Sequence, residues 1–170
     1  MNNQYIFDPK IDIDLEQIVA ISKRQMQRPV TGLASHQRRI ADEPYLVEVQ
    51  QKYPFLSNLY NLYTSPPDWV IPIHICPNRG CALNIPVQYT EDSHTVFYEI
   101  PIDAEKEYSE ERIYELIKSD AVEVFRYTLD RPVIMNTLLP HGVFGGPKMW
   151  RTIFSWSITT SYEETQRLVG

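Results

Sequence analysis

The chain has 170 residues, of which 43% are hydrophobic, and it carries a formal net charge of −6. This length is sufficient for one domain with a substantial core, so we expect a single domain over residues 1–170. The acidic balance, with basic residues clustered only at Arg38-Arg39, argues against binding to nucleic acid or to an anionic membrane surface. Two cysteines, no apolar run that could span a membrane and no secretory signal predict a cytoplasmic protein.

The first third of the sequence carries helical periodicity. Apolar residues recur at helical spacing over residues 14–28, and a proline follows the last of them. A second helix is predicted over residues 43–53, with a proline in its first turn. Residues 55–63 favour a helical turn that leads into a strand. We therefore expect residues 1–63 to form a helical segment that packs against the outside of a sheet.

Strand signals replace helical periodicity from Trp69 onward. Short runs rich in β-branched and aromatic residues alternate with turn residues, which is typical of antiparallel sandwiches and barrels. Strands are predicted near 70–75, 81–88, 94–100, 112–118, 121–129, 132–137 and 149–159. The segment 109–118 also fits a helix, and the glycine-rich segment 142–148 is predicted to be a loop. Residues 64–160 should thus form the β core of a mainly β protein with N-terminal helices.

Two histidines stand where strand-like runs meet loops. His74 lies near the end of the run Ile71-Pro-Ile-His-Ile, and His141 follows a second such run and precedes the glycine-rich segment. Strand ends are where a rigid scaffold often presents chemical groups, and neutral imidazole is the commonest metal ligand in proteins. Cys76 projects to the same side as His74 because strand side chains have a period of two. We interpret the histidines as ligands of one metal ion, although each taken alone also fits a hydrogen-bonded structural residue.

Arg151 lies ten positions after His141, inside the run Trp150-Arg-Thr-Ile-Phe-Ser-Trp156. A guanidinium group binds a carboxylate through two parallel hydrogen bonds. The pattern resembles the 2-oxoglutarate- and Fe(II)-dependent oxygenases, most closely their aspartyl/asparaginyl β-hydroxylase-like and prolyl-hydroxylase-like branches. The residues that carry the resemblance are His74-Ile-Cys76, Arg79, Leu83-Asn-Ile-Pro86, Asn136-Thr137, Pro140-His141 and Arg151 to Trp156.

The resemblance implies a double-stranded β-helix, which is a jelly-roll or cupin-like barrel. It also implies an enzyme that hydroxylates a peptide side chain or an amino-acid-like small molecule. Fe(II) would be held by His74 and His141. The far carboxylate of the cosubstrate 2-oxoglutarate would be held by Arg151, assisted by Ser155.

The sequence departs from the family pattern at Cys76, because a carboxylate usually supplies the third metal ligand there. Four interpretations remain open. The site could be a two-histidine iron site with water in the third place, or a zinc-like site with a thiolate ligand. The protein could also have lost the metal and kept the barrel, or take a carboxylate from Glu91 or Asp92. A non-catalytic cupin-like binding protein is therefore the alternative function.

Three further residues have two interpretations each. Arg79 either approaches the substrate or cosubstrate from its loop or is solvated. Asn84, if it faces inward, contacts the cosubstrate or holds a neighbouring strand. His36, in a predicted loop, is a surface residue or a substrate contact. The expected partner is a small molecule or a peptide, and the expected state is a monomer or a homodimer.

Overall fold

The computed structural model describes residues 3–26, 35–76, 79–100, 106–108, 114–116, 121–147 and 149–170. Within these ranges the chain forms twelve β-strands and three α-helices. The strands are β1 (Ile6–Phe7), β2 (Ser35–Ile40), β3 (Leu56–Ser65), β4 (Val70–Ile75), β5 (Cys81–Gln88), β6 (His94–Glu99), β7 (Lys106–Tyr108), β8 (Tyr114–Leu116), β9 (Val122–Thr128), β10 (Val133–Asn136), β11 (His141–Phe144) and β12 (Arg151–Ile158). The helices are α1 (Leu15–Gln25), α2 (Pro44–Lys52) and α3 (Tyr162–Val169). Among the described residues, no helix is both long enough and apolar enough to cross a membrane.

The strands pair antiparallel in two six-stranded sheets. The first sheet has the order β1-β10-β5-β12-β3-β2, and the second has the order β7-β8-β4-β11-β6-β9. Consecutive strands alternate between the sheets from β3 to β6 and again from β9 to β12. Such alternation is typical of jelly rolls, in which two sheets enclose one interior. The prediction of a mainly β protein is confirmed, and closure of the sheets into a barrel stays a prediction.

The first sheet separates two apolar cores. One core packs the outer face of this sheet against all three helices, and the other lies between the two sheets. Strand β12 contributes to both, because Phe154 and Trp156 face the helices whereas Ile153 faces the second sheet. This division follows from the period of two along a strand. All eight residues of β12 are buried because both of its faces are covered.

Helix α3 lies outside the predicted elements. Its N-terminus is capped by Ser161, whose side chain accepts a hydrogen bond from the backbone N–H of Glu164. Serine followed three positions later by glutamate is the sequence signature of a capping box. The signal for this helix was therefore present in the sequence.

Four strands, one of which is β7, lie wholly or partly where no strand was predicted. β2 occupies a polar segment, β3 begins at Leu56 in the predicted helical turn, and β11 occupies the start of the predicted glycine-rich loop. The prediction that residues 1–63 are helical is wrong for β2 and the start of β3, whereas β1 lies in residues 1–10, which are predicted to be extended and able to pair at a sheet edge. β2 lacks an apolar alternation because it is an edge strand, and its backbone pairing with β3 defines it.

The remaining strands largely follow the prediction. β4, β5, β6, β9, β10 and β12 lie within two residues of their predicted bounds. Of the predicted strand 112–118, the structure describes β8 and leaves the other residues outside the described ranges. The β-branched runs therefore located most of the strands that form the two sheets.

Replacing Phe154 by alanine tests the helix-side core. Phe154 is fully buried and stacks on Tyr60 with ring centroids 4.5 Å apart. We expect Phe154→Ala to lower the free energy of unfolding by about 3–5 kcal/mol, because it removes a buried ring and leaves a cavity. Leu168→Ala, at an exposed position of α3, is the control and should change the free energy of unfolding by less than about 0.5 kcal/mol. Urea unfolding followed by circular dichroism measures both, and equal effects would contradict this placement of β12.

Candidate metal centre

His74 and His141 are brought together by the pairing of two strands in the second sheet. They lie directly opposite each other on the antiparallel strands β4 and β11. Their ring centroids are 4.3 Å apart, and both side chains are buried. Residues opposed in an antiparallel ladder have neighbouring side chains on the same face. The structure thus places the two predicted ligands side by side.

A β-bulge lies next to this pair. Between the pairs His141–His74 and Val143–Ile71, strand β4 has one residue more than β11. Pro72 is one of the residues in the bulge, where the missing N–H of proline is tolerated. Gly142 lies opposite, and a Cβ there would be only 3.2 Å from the carbonyl oxygen of Ile71. Bulges redirect nearby side chains, and this one adjoins His74.

Backbone carbonyl groups fix the orientation of both imidazole rings. The Nδ1 atom of His74 lies 2.8 Å from the carbonyl oxygen of Pro72, and that of His141 lies 2.8 Å from the carbonyl oxygen of Leu139. Because a carbonyl oxygen can only accept, Nδ1 donates in each case. In a neutral ring the Nε2 atom then offers its lone pair. A hydrogen bond from the ring nitrogen that does not bind the metal is typical of metal-binding histidines.

Cys76 completes a group of three possible ligands. The ligand atoms of His74, Cys76 and His141 all lie within 4.8 Å of one another. The backbone N–H of Cys76 donates to the carbonyl oxygen of Thr137 at 2.8 Å, which holds the residue just beyond the end of β4. The structure therefore places a sulfur atom where the family pattern expects a carboxylate. Glu91 and Asp92, the other candidates for that role, are exposed and do not line this site.

The three groups shift one another's protonation. Burial of the Cys76 thiol opposes its ionisation, but hydrogen bonds with His141 and His74 and the charge of Arg79 lower its pKa to about 4. Burial opposes protonation of His74 too, but its hydrogen bond to Cys76 raises its pKa overall. Burial lowers the pKa of His141. A low pKa favours the thiolate form of cysteine, which is the form that binds metals.

The three groups line a cavity of about 130 Å³ between the inner faces of the two sheets. Its lining residues include no aspartate or glutamate, and they include two arginines, Arg79 and Arg151. Apolar wall is supplied by Ile71, Ile153, Met135 and Val143, and the polar remainder is His36, Tyr63, Asn84, Thr95 and Ser155. The described lining is therefore rich in cationic groups and has no carboxylate to neutralise them.

Arg151 is almost fully buried at the start of β12. Its Nε–H donates to the hydroxyl oxygen of Ser93 at 2.9 Å, and that hydroxyl donates to the carbonyl oxygen of Thr90 at 2.8 Å. Burial lowers the pKa of Arg151 to about 10, so the guanidinium is still protonated at neutral pH. Within the described part of the chain it forms no ion pair with an acidic side chain. Ser93 lies in a predicted turn, and nothing in the sequence marked it as a partner of Arg151.

Arg79 occupies a different part of the cavity. Its Nη1–H donates to the hydroxyl oxygen of Ser155 at 3.1 Å. Burial opposes its charge, but its guanidinium also lies near the side chains of Tyr63 and Cys76, which raise its pKa. Ser155, predicted to assist Arg151, contacts Arg79 instead.

Asn84 lies on β5 and faces the cavity. Its Oδ1 atom is buried without a hydrogen-bond partner, and its Nδ2 atom lies 3.7 Å from the sulfur of Met135, with Tyr127 close to the amide. An unsatisfied buried amide oxygen costs about 1–3 kcal/mol. The amide is therefore placed to interact with a ligand.

His36 and Tyr63 form an aromatic pair in the lining. The rings are stacked with centroids 4.5 Å apart, and the His36 Nε2 atom lies 2.9 Å from the Oδ1 atom of Asn61. His36 is exposed, so the cavity meets solvent on this side. His36 lies on β2 rather than in the predicted loop, and Tyr63 carried no functional signal in the sequence.

Comparison with known proteins gives distant structural likeness alone. No protein-family model matches the sequence, and no curated protein matches it significantly. A Pseudomonas putida prolyl-4-hydroxylase is 12% identical, with 92% of each chain covered and a TM-score of 0.46. Peruvianin-I, a cysteine peptidase from Thevetia peruviana latex, is 14% identical, with 82% of this chain and 71% of that chain covered and a TM-score of 0.45.

An oxalate oxidase in complex with the substrate analogue glycolate is 12% identical, with 77% of this chain covered and a TM-score of 0.42. The chain spans about half of that protein, since 54% of the oxidase is covered. The interpretation of the site therefore rests on its own residues.

Titration with Co(II) tests the ligand set. We expect the wild type to show a sulfur-to-metal charge-transfer band, because the Cys76 thiolate lies among the ligands. Loss of a residue that only hydrogen-bonds a metal ligand weakens metal binding roughly 10–100-fold. His74→Ala and His141→Ala each remove a ligand itself, so each should weaken Co(II) binding by more than this. His94→Ala is the control, since His94 lies outside the cavity lining and contacts Thr128. Cys76→Ser should abolish the band, and a band that survives would exclude sulfur as a ligand.

Proposed function

We propose that the protein is a 2-oxoglutarate- and Fe(II)-dependent oxygenase built on a double-stranded β-helix. The observation that carries this proposal is the placement of Arg151. Its buried guanidinium has no acidic partner in the described structure and faces the same cavity as His74 and His141. A buried cation of this kind is unfavourable unless an anion joins it, so the site favours an anionic ligand beside the metal ligands.

The residues present fit a divalent metal. His74 and His141 would bind through Nε2, since Nδ1 of each ring is engaged by a backbone carbonyl. Three protein ligands at most would leave positions open for a cosubstrate. Cys76 would either bind as a thiolate or stand beside a metal held by the two histidines, and both interpretations are compatible with its position.

The cavity also fits 2-oxoglutarate in charge. This cosubstrate is a dianion, and the described lining holds two arginines without a carboxylate. Arg151 would bind the carboxylate far from the metal through paired hydrogen bonds, with Ser93 holding its Nε in place. Asn84 would donate from its Nδ2 atom to the bound cosubstrate, because the thioether of Met135 is only a weak acceptor.

The chain orients the reactants and limits access of water. When bound, iron and 2-oxoglutarate together supply O2 activation coupled to oxidative decarboxylation of the cosubstrate to succinate. The branched side chains of Ile71 and Val143 flank the histidines on the second sheet and present an apolar wall. This wall keeps water from the site and positions a C–H bond of the substrate, which we propose is a peptide side chain or an amino-acid-like small molecule.

Anaerobic titration with Fe(II) and then 2-oxoglutarate tests the proposal. We expect a visible charge-transfer band from the chelate. Arg151→Met should weaken 2-oxoglutarate binding about 30-fold or more, because it removes one partner of a buried charge pair. Arg126→Met is the control, since this arginine is exposed on β9 and pairs with Glu123. Absence of the band in the wild type, with no iron bound, would sink the oxygenase proposal.

A second candidate is a zinc enzyme that activates water. The observation that favours it is the compact group of His74, Cys76 and His141, which resembles a catalytic zinc site with three protein ligands and one open position. The low pKa of Cys76 agrees with a thiolate ligand. This candidate leaves the buried Arg151 without a role.

Substitutions of Cys76 separate the two candidates. In an iron oxygenase Cys76→Ser should leave the charge-transfer band with 2-oxoglutarate largely intact. Cys76→Asp should tighten Fe(II) binding relative to Zn(II), because a carboxylate suits the harder metal. In a zinc enzyme Cys76→Ser should lose most of the zinc, which metal analysis after dialysis measures. Full retention of zinc by Cys76→Ser would exclude the second candidate.

A further inference from the structure

Arg79 is a second cation in the cavity, and the proposed function gives it no role. Its guanidinium donates a hydrogen bond to Ser155 and lies near the side chains of Tyr63 and Cys76. The backbone is fixed, because its N–H donates to the carbonyl oxygen of Cys76 at 3.1 Å and its carbonyl accepts from the hydroxyl of Thr137. A guanidinium held in this way is preorganised to bind an anion, since little freedom is lost when the anion arrives.

The two arginines reach the cavity at separate places. Arg151 starts β12, and Arg79 contacts Ser155, four residues further along the same face of that strand. Four residues of a strand span about 13 Å. Arg79 is also the arginine that contacts Cys76, whose sulfur lies within 4.8 Å of the histidine ligand atoms. An anion on Arg79 would therefore lie beside the metal ligands, where the reacting carbon must be.

The charges of the proposed complex leave this cation without a full counter-charge. Fe(II) and the 2-oxoglutarate dianion cancel each other. The sulfur of Cys76 contributes at most one negative charge, and the described lining contains two guanidinium groups and no carboxylate. At least one positive charge thus stays uncompensated in a largely buried site, which favours a further anion.

We propose that the substrate is a small free carboxylic acid whose carboxylate binds Arg79, an inference that rests on the proposed function. The carboxylate accepts hydrogen bonds from the guanidinium. The carbon chain then extends along the apolar wall of Ile71 and Val143. Because 2-oxoglutarate would already occupy much of the cavity of about 130 Å³, the space left beside Arg79 suits only a ligand of a few carbon atoms.

Side-chain NMR of arginine tests this inference directly. The protein is labelled with 15N, loaded with Zn(II) as a redox-inert metal and saturated with 2-oxoglutarate. The Nε–H signals of Arg79 and Arg151 are assigned from the variants Arg79→Met and Arg151→Met. Propionate, propionamide and the α-amide of N-acetylaspartic acid, called N-acetylaspartamide below, are then added in separate titrations. Propionamide has nearly the shape of propionate without its charge, and N-acetylaspartamide carries a carboxylate on a peptide-like backbone.

We expect 2-oxoglutarate to shift the Arg151 signal and propionate to shift the Arg79 signal. Propionamide should shift neither. Binding of propionate is also followed by saturation-transfer difference NMR, which detects the ligand itself. In Arg79→Met this propionate signal should be lost, while 2-oxoglutarate still shifts the Arg151 signal. Arg126→Met, which changes an exposed arginine, should behave as the wild type.

The outcomes separate failure of this inference from failure of the proposed function. If 2-oxoglutarate shifts Arg151 but propionate leaves Arg79 unchanged, the free-acid inference is wrong and the oxygenase proposal stands. A shift of Arg79 with N-acetylaspartamide alone also overturns it, in favour of an acidic peptide side chain. If 2-oxoglutarate does not shift Arg151, the proposed function fails, and this inference fails with it.

Discussion

The register between β4 and β11 is the constraint on which the site depends. It sets His141 opposite His74, and the backbone carbonyls of Pro72 and Leu139 then turn both Nε2 atoms toward the space between the sheets. A shift of one residue in either strand would carry one histidine to the opposite face of the sheet. The bulge beside the pair is where the two strands adjust their length, so that Val143 can pair with Ile71 without disturbing the histidines. The geometry of the candidate metal centre is thus determined by strand pairing in the second sheet rather than by any one loop.

The two buried arginines of the cavity donate hydrogen bonds to hydroxyl groups rather than to carboxylates. Arg151 is held by the hydroxyl of Ser93, and Arg79 by the hydroxyl of Ser155. A hydroxyl oxygen satisfies an N–H donor but adds no negative charge, whereas a carboxylate would cancel the guanidinium. The two serines therefore fix the positions of the arginines and leave their charge to act on whatever enters. This arrangement explains how a protein with a net charge of −6 can present a cationic interior to an anionic ligand.

The sequence was most informative where local pattern and structure coincide. The β-branched runs located β4 and β5, and the position of His74 and His141 next to predicted strand ends indicated their proximity. The sequence was least informative where pairing between distant segments of the chain determines the structure. The glycines that follow His141 predict a loop, yet backbone hydrogen bonds to β4 and β6 hold β11 as a strand. The contact between Arg79 and Ser155 joins residues 76 positions apart, and no local signal encodes such a contact.

Alternate residues of strand β12 face the cavity and the helices. Arg151, Ile153 and Ser155 face the cavity, whereas Phe154, Trp156 and Ile158 face the helices. Selection for a new ligand and selection for a more stable protein therefore act on alternate codons of one short stretch of the gene. A laboratory library can vary the odd-numbered positions to change chemistry while the even-numbered ones keep the helices in place. Deletion of a single codon here would exchange the two sets, and one event would remove both the core and the site.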